Sequence, residues 1–283
     1  MPLSLIHGFN NWYRESGTNY ATAERQMRRF LPAGHRLHVI EIYWDGCRGN
    51  SAGIGCWGKA QSTGPLAGFA LRQMFNGVER NWQARKKPHW RVLTHSSGAF
   101  VAGAIFGNPT AALPQLINSD TNRWYARFAN HRASVDGRYG VPQAADIRLG
   151  MFAPATPDST FIGSDEYPGG VLAPNLSILT VVQRDDNGPN KFILGCQRIG
   201  NSCLGVERDH ACNVQRTLAA RANRVSVIVY DFTRDPAVWR EERRLHDYSV
   251  YVRQAADHST FFRDLLATEL RSGNAGPLID CSA

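Results

Sequence analysis

No run of 18 or more apolar residues occurs in the 283-residue sequence, so no segment is long enough to cross a bilayer as a helix. No leader is expected either: the chain enters a strand-like apolar run within a few residues of Met1, without a charged stretch or a small-residue cleavage site. Both absences point to a cytoplasmic protein, or to a mature chain whose signal has been removed. Cysteine is scarce, with six residues in all, too few for a disulfide scaffold at this length. No Cys-x-x-Cys occurs, so the paired cysteine ligands of a zinc motif are lacking; no metal and no cofactor are expected. Internal repeats, low-complexity tracts and nucleic-acid-binding motifs are also lacking.

What is present begins with charge. Lys and Arg number 32 against 24 Asp and Glu, a formal net charge of +8. The basic residues are spread rather than blocked, at Arg25, Arg28 and Arg29, at Arg85, Lys86 and Lys87, and at Arg240, Arg243 and Arg244. Such a field can steer an anionic substrate, a lipid head group or nucleic acid. With no accompanying motif a solvated surface is the simpler reading, and no nucleic-acid partner is expected. Cys47 and Cys56 flank a Gly-rich loop, Cys196, Cys203 and Cys212 share a loop-like stretch with His210, and Cys281 is the sixth. Buried free thiols are the default for them. One or two loop disulfides are the alternative, and would imply export.

Hydrophobic periodicity alternates between the two regular types. Strands are expected at residues 3–7, 36–44, 89–94, 146–153, 176–183 and 224–230. Helices are expected at 19–31, with Tyr20, Ala23 and Met27 on one face, at 64–77, after Ser96, and at 259–270 with Ser259 as its cap. Strands alternating with helices imply βαβ crossovers, hence an α/β fold whose mostly parallel sheet of about six strands is covered on both faces. The length fits one domain over 1–283. Irregular stretches at 107–145, 154–175 and 184–213 are long enough to be functional and are candidates for a cap. Trp44, Trp57, Phe161 and Tyr167 are candidate pocket walls, each of which could equally be packing the core.

The densest chemical signal is Val92-Leu93-Thr94-His95-Ser96-Ser97-Gly98 followed by small apolar residues. It reads as a strand turning sharply into a helix with Ser96 at the apex. A serine hydroxyl is a weak nucleophile, and needs a tight turn that exposes it beside a base and beside backbone N–H groups able to receive a developing oxyanion. Gly98 permits the close approach. Thr94 stands where the Gly-x-Ser-x-Gly pattern has its first glycine, and Ser96 could also be an ordinary helix N-cap.

Residues 3–11, Leu-Ser-Leu-Ile-His-Gly-Phe-Asn-Asn, place His-Gly at the end of an apolar run, and Arg244-Leu245-His246-Asp247-Tyr248 follows the last expected strand. With Ser96 before His246, these segments resemble the α/β-hydrolase superfamily, in the form of a compact serine esterase or lipase-like member. The resemblance implies a three-layer hydrolase fold and a Ser-His-Asp acyl-enzyme mechanism. Ser96 would be the nucleophile, His246 the base, and the backbone amides of Phe9 and Ser97 the oxyanion hole. His7 and His95 are not assigned catalytic roles. For the acid, Asp185, Asp186 and Asp231 all qualify. Asp185 is preferred as the first carboxylate past the apolar strand, Asp186 being assigned to the Asp-Asn-Gly turn. The substrate would be a small-molecule or lipid ester. Thioesterase, amidase, lactonase or acyltransferase chemistry on the same residues stays open, as does a binding protein that keeps only the fold.

Overall fold

The computed structural model describes residues 1–8, 13–46, 54–81, 88–107, 141–163, 170–184, 186, 203–221, 225–233, 246–257, 260–268 and 278–281. Six strands form one sheet: β1 (Pro2–Ile6), β2 (His38–Ile42), β3 (His89–His95), β4 (Asp146–Phe152), β5 (Leu176–Val182) and β6 (Ser226–Asp231). All neighbours pair in parallel, in the order β2-β1-β3-β4-β5-β6. The strand expectations hold to within a residue or two at most ends. β5 is buried at all seven positions, which is why its sequence reads as a continuous apolar run rather than an alternating one.

Around the sheet the described residues form α1 (Tyr13–Arg28), α2 (Ile54–Asn81), α3 (Gly98–Phe106), α4 (Ser159–Ile162), α5 (Arg208–Ala219), α6 (Tyr248–Asp257) and α7 (Phe261–Leu266). Strand residues alternate between the two faces. Ile6, Val92, Leu149 and Ile178 join α2, α3 and α5 in one core, while Leu5, Leu93, Leu179 and Tyr230 join α1, α6 and α7 in the other. The result is a three-layer α/β fold. Arg91 and Arg148 sit opposite one another on β3 and β4, fully buried, and ion-pair with Asp146. These two cations are therefore part of the interior and add nothing to the surface field.

Several expectations change. The 184–213 stretch, taken as irregular, contains the start of α5, and α6 lies where no helix was anticipated. α4 interrupts the 154–175 stretch, with Asp158 capping it by accepting the Ser159 N–H at 2.8 Å. The last helix is Phe261–Leu266 with Thr260 at its N-cap, while Ser259 lies outside the described residues, as do 108–140 of the first long stretch. α2 extends well beyond 64–77 and continues through Pro65. The thiol expectation is overturned at Cys212 and Cys281, which form a disulfide with Cα atoms 5.1 Å apart, and Cys203 is also disulfide-bonded. The Cys212–Cys281 bond ties α5 to the C-terminal segment, where Leu278 bridges Tyr230 and Ile279 N–H bonds Val229 O, covering the β6 edge. Closing 69 residues of chain separation restricts the unfolded chain by about 4 kcal/mol in the loop-entropy account.

No described helix is long and apolar enough to cross a membrane.

Candidate active site

The strand order locates the site. From β1 the chain steps outward to β2, then crosses back to β3 and continues away to β6. Strand order thus reverses between β1 and β3, the place where the carboxyl ends of a parallel sheet open a crevice. His7 and Gly8 follow β1 there, and Ser96 follows β3.

Ser96 is held in the left-handed region at φ +53°, a conformation costly for a residue with a Cβ and stored where surrounding structure over-determines it. The surroundings do so here. Ser96 N–H donates to Phe152 O at 2.9 Å, and Ser96 O accepts from Ala99 N–H and Ala155 N–H. Ser97, not Ser96, occupies the N-cap of α3. Two glycines make the packing feasible. A Cβ on Gly8 would stand 2.7 Å from Ser96 Cβ, and one on Gly98 would stand 2.8 Å from His7 O. Thr94 fits as an ordinary buried strand residue, opposite Ile6 and Met151. One expectation fails: Ser96 is only 3% exposed, wedged between the ends of β1 and β4, so its hydroxyl is not the open apex that the motif suggested.

His246 reaches this serine from the segment preceding α6. Its Nε2 lies 2.9 Å from Ser96 Oγ, and its Nδ1 lies 2.9 Å from both carboxylate oxygens of Asp186. The hydrogen-bonded order is hydroxyl, imidazole, carboxylate. With Nδ1–H donating to Asp186, Nε2 is the free acceptor for the serine proton, an arrangement able to raise the hydroxyl's nucleophilicity. Asp186 is wholly buried, whereas the His246 side chain is 28% exposed.

For the carboxylate, the sequence leaves Asp185, Asp186 and Asp231 open, with Asp185 preferred. Asp185, the preferred acid, lies outside the described residues. Asp186 is the one against His246, because its N–H bonds Gln183 O and the resulting turn folds it back onto the sheet edge instead of carrying it away. Asp231 serves its own turn, accepting the Thr233 N–H at 2.9 Å. Of the two expected oxyanion donors, Ser97 is the N-cap residue of α3 directly after Ser96, and Phe9 lies outside the described residues.

Neither other histidine sits in this relay. His7 pins β1 to the end of β2: Trp44 N–H reaches its Nε2, Trp44 Nε1–H donates to His7 O, and the two rings stack at 5.8 Å. That use makes Trp44 a packing residue, and Phe161 is buried in the core, so neither is a free pocket wall; Tyr167 lies outside the described residues. His95 packs its ring 4.7 Å from that of His246 and edge-on to Tyr248. Burial holds both imidazoles below the ordinary value of 6.5, and for His95 the neighbouring His246 adds to the effect.

A pH dependence of stability follows. The unfolded chain binds protons at these histidines near pH 6.5 while the folded chain does not, so stability is full above that value and falls as pH drops toward the lowered folded values. Thermal melts should give a steady Tm above pH 7 and a decline below 6.5, shallower in His95→Gln. A wild-type Tm that is flat down to pH 5 would contradict the neutral, buried imidazoles.

Among the described residues, no group of three or more His, Cys, Asp or Glu is placed to hold a metal ion.

No protein-family model matches the chain, and no curated protein matches it. Among solved structures, the phospholipase PlaB from Legionella pneumophila in complex with thio-NAD is similar at 11% identity, over 82% of this chain. The chain spans 37% of that protein's length, and the TM-score is 0.27, a level of likeness from which no function is argued.

Proposed function

We propose that this chain is a serine hydrolase of the α/β-hydrolase type, cleaving carboxylic esters through an acyl-enzyme, with the chain acting as one domain. The observation that carries this reading is the unbroken series of contacts from Ser96 Oγ to His246 to Asp186, each at 2.9 Å, assembled from three distant parts of the sequence at the strand-order reversal. Packing alone does not require a hydroxyl, an imidazole and a buried carboxylate in that order.

In the mechanism, His246 Nε2 takes the Ser96 proton as Oγ attacks the ester carbonyl. The tetrahedral oxyanion is received by the Ser97 amide and a second donor from the loop after Gly8, in which Phe9 is the candidate. Each donor of this kind lowers the barrier by about 3 kcal/mol. His246 then returns the proton to the leaving alcohol, and water repeats the sequence to release the acid. Asp186 keeps Nδ1 protonated and stabilises the imidazolium while it exists.

A fluorophosphonate probe tests the reading, since it reacts with activated serines and not with resting ones. Stoichiometric labelling at Ser96, together with hydrolysis of p-nitrophenyl esters of graded chain length, is the expected result, and the chain-length preference separates a carboxylesterase from a lipase-like enzyme. Absence of both labelling and turnover would leave a non-catalytic protein with this fold.

The oxidised pair Cys212–Cys281 supports the exported alternative over the cytoplasmic one, because cytosolic thiols are kept reduced. Intact mass of protein made in an oxidising compartment should be lower than that of the reduced form by two hydrogen atoms per bridge. An identical mass would restore the cytoplasmic reading.

A further inference from the structure

We infer that Tyr251 is a positioning residue for Asp186, holding the carboxylate in the rotamer that serves His246. The inference rests on the proposed serine hydrolase mechanism and assigns a part of it that the motifs do not contain.

The Tyr251 hydroxyl donates to Asp186 Oδ2, and both oxygens of that carboxylate lie 2.9 Å from His246 Nδ1. Asp186 has no exposed surface, so its charge depends on hydrogen-bond donors rather than on solvent. A tyrosine is an informative donor for this position. A guanidinium or ammonium would neutralise the carboxylate and weaken its hold on the imidazolium, whereas a phenol fixes one oxygen and leaves the charge in place. Burial and the adjacent carboxylate both hold the Tyr251 proton on its own oxygen, which keeps it a donor throughout.

The local structure is built to keep that hydroxyl where it is. The Tyr251 ring stacks on Phe152, at the end of β4, with 5.7 Å between centroids and 27° between planes, and on Phe232, just past β6, at 6.4 Å and 23°. Asp247 starts α6 by accepting the Ser249 N–H at 2.8 Å through its side chain and the Val250 N–H through its carbonyl. His246 therefore immediately precedes a capped helix whose second turn carries Tyr251. α6 and the residue just before its cap thus present the hydroxyl and the imidazole to a single carboxylate.

Tyr251→Phe keeps the stacked ring and removes only the hydroxyl. The expected result is a kcat, per site titrated with fluorophosphonate, lower by about 10- to 100-fold, the range for loss of a hydrogen bond to a charged group, with KM unchanged. In an Asp186→Asn background the same substitution should cost almost nothing further, because the group it positions is gone. A purely structural role predicts the opposite pattern: a lower Tm and fewer titrated sites, an unchanged kcat at each of them, and losses that multiply in the double variant. Either an unchanged kcat per site or multiplying losses would overturn the inference while leaving the hydrolase reading intact. A wild-type protein that neither labels nor turns over would remove both together.

Discussion

Ser96→Ala should give a folded protein with essentially no turnover and no fluorophosphonate labelling. In a serine protease, single removal of the nucleophile or of the histidine costs on the order of 10⁶-fold in kcat, nearly as much as removing all three residues together. The same scale is expected here for Ser96→Ala and for His246→Ala. The fold should be spared because the elbow is held by backbone rather than by the hydroxyl. Ser96 N–H still bonds Phe152 O, and Ser96 O still accepts from Ala99 and Ala155 N–H. Melting temperatures within a few degrees of wild type would therefore accompany the lost activity. A residual rate above about 1% of wild type, well beyond what an oxyanion hole alone retains, would sink the assignment. Ser97 is a poor substitute, because among the described residues its hydroxyl meets no base, whereas Ser96 Oγ meets His246.

The architecture was largely legible because the inner strands of the sheet are buried on both faces. Runs such as Leu176-Ser-Ile-Leu-Thr-Val-Val announce such strands without any alternation to decode, and all six were found. The elbow was legible for a different reason: a Ser at a strand-to-helix turn needs Gly98 for clearance against His7 O, and that need is written two residues downstream. Helix α6 was missed although its signal was present. Tyr248, Tyr251, Val252 and Ala255 recur at i, i+3, i+4 and i+7, all buried, but the aromatic and β-branched residues among them favour strands by propensity and hide the period. Tyr251 went unnoticed with it. α5 was hidden by its polar first turn, since Ala211, Val214 and Leu218 mark its inner face only when counted together.

The carboxylate beside His246 was the least legible part, because sequence locates the strand but not the direction in which the next turn folds. Four residues after the β5 strand, Arg184, Asp185, Asp186 and Asn187, read as a charged turn in any protein. What decides among them is one turn bond, from Asp186 N–H to Gln183 O, together with two tertiary contacts, the Tyr251 hydroxyl and the imidazole arriving from beyond β6. The two tertiary contacts are not encoded locally.

Asp186→Asn is thus the substitution that separates local from tertiary reasoning. The amide can present a donor to Nδ1 and so favour the tautomer whose Nε2–H cannot accept the Ser96 proton, and it carries no charge to stabilise the imidazolium. The equivalent change in a serine protease costs about 10⁴ in rate. A loss of that order is expected in kcat, with KM nearly unaffected because the carboxylate lies on the far side of the imidazole from the serine. Asp231→Asn should be mild, since that side chain accepts a backbone N–H of its own turn, a role asparagine also fills. Asp185→Asn should likewise keep most of the rate. Kinetics of the three variants on one p-nitrophenyl ester rank them directly. A collapse in Asp185→Asn with Asp186→Asn near wild type would return the acid to the first carboxylate past the strand, and would mean that the contact between Asp186 and His246 orients nothing.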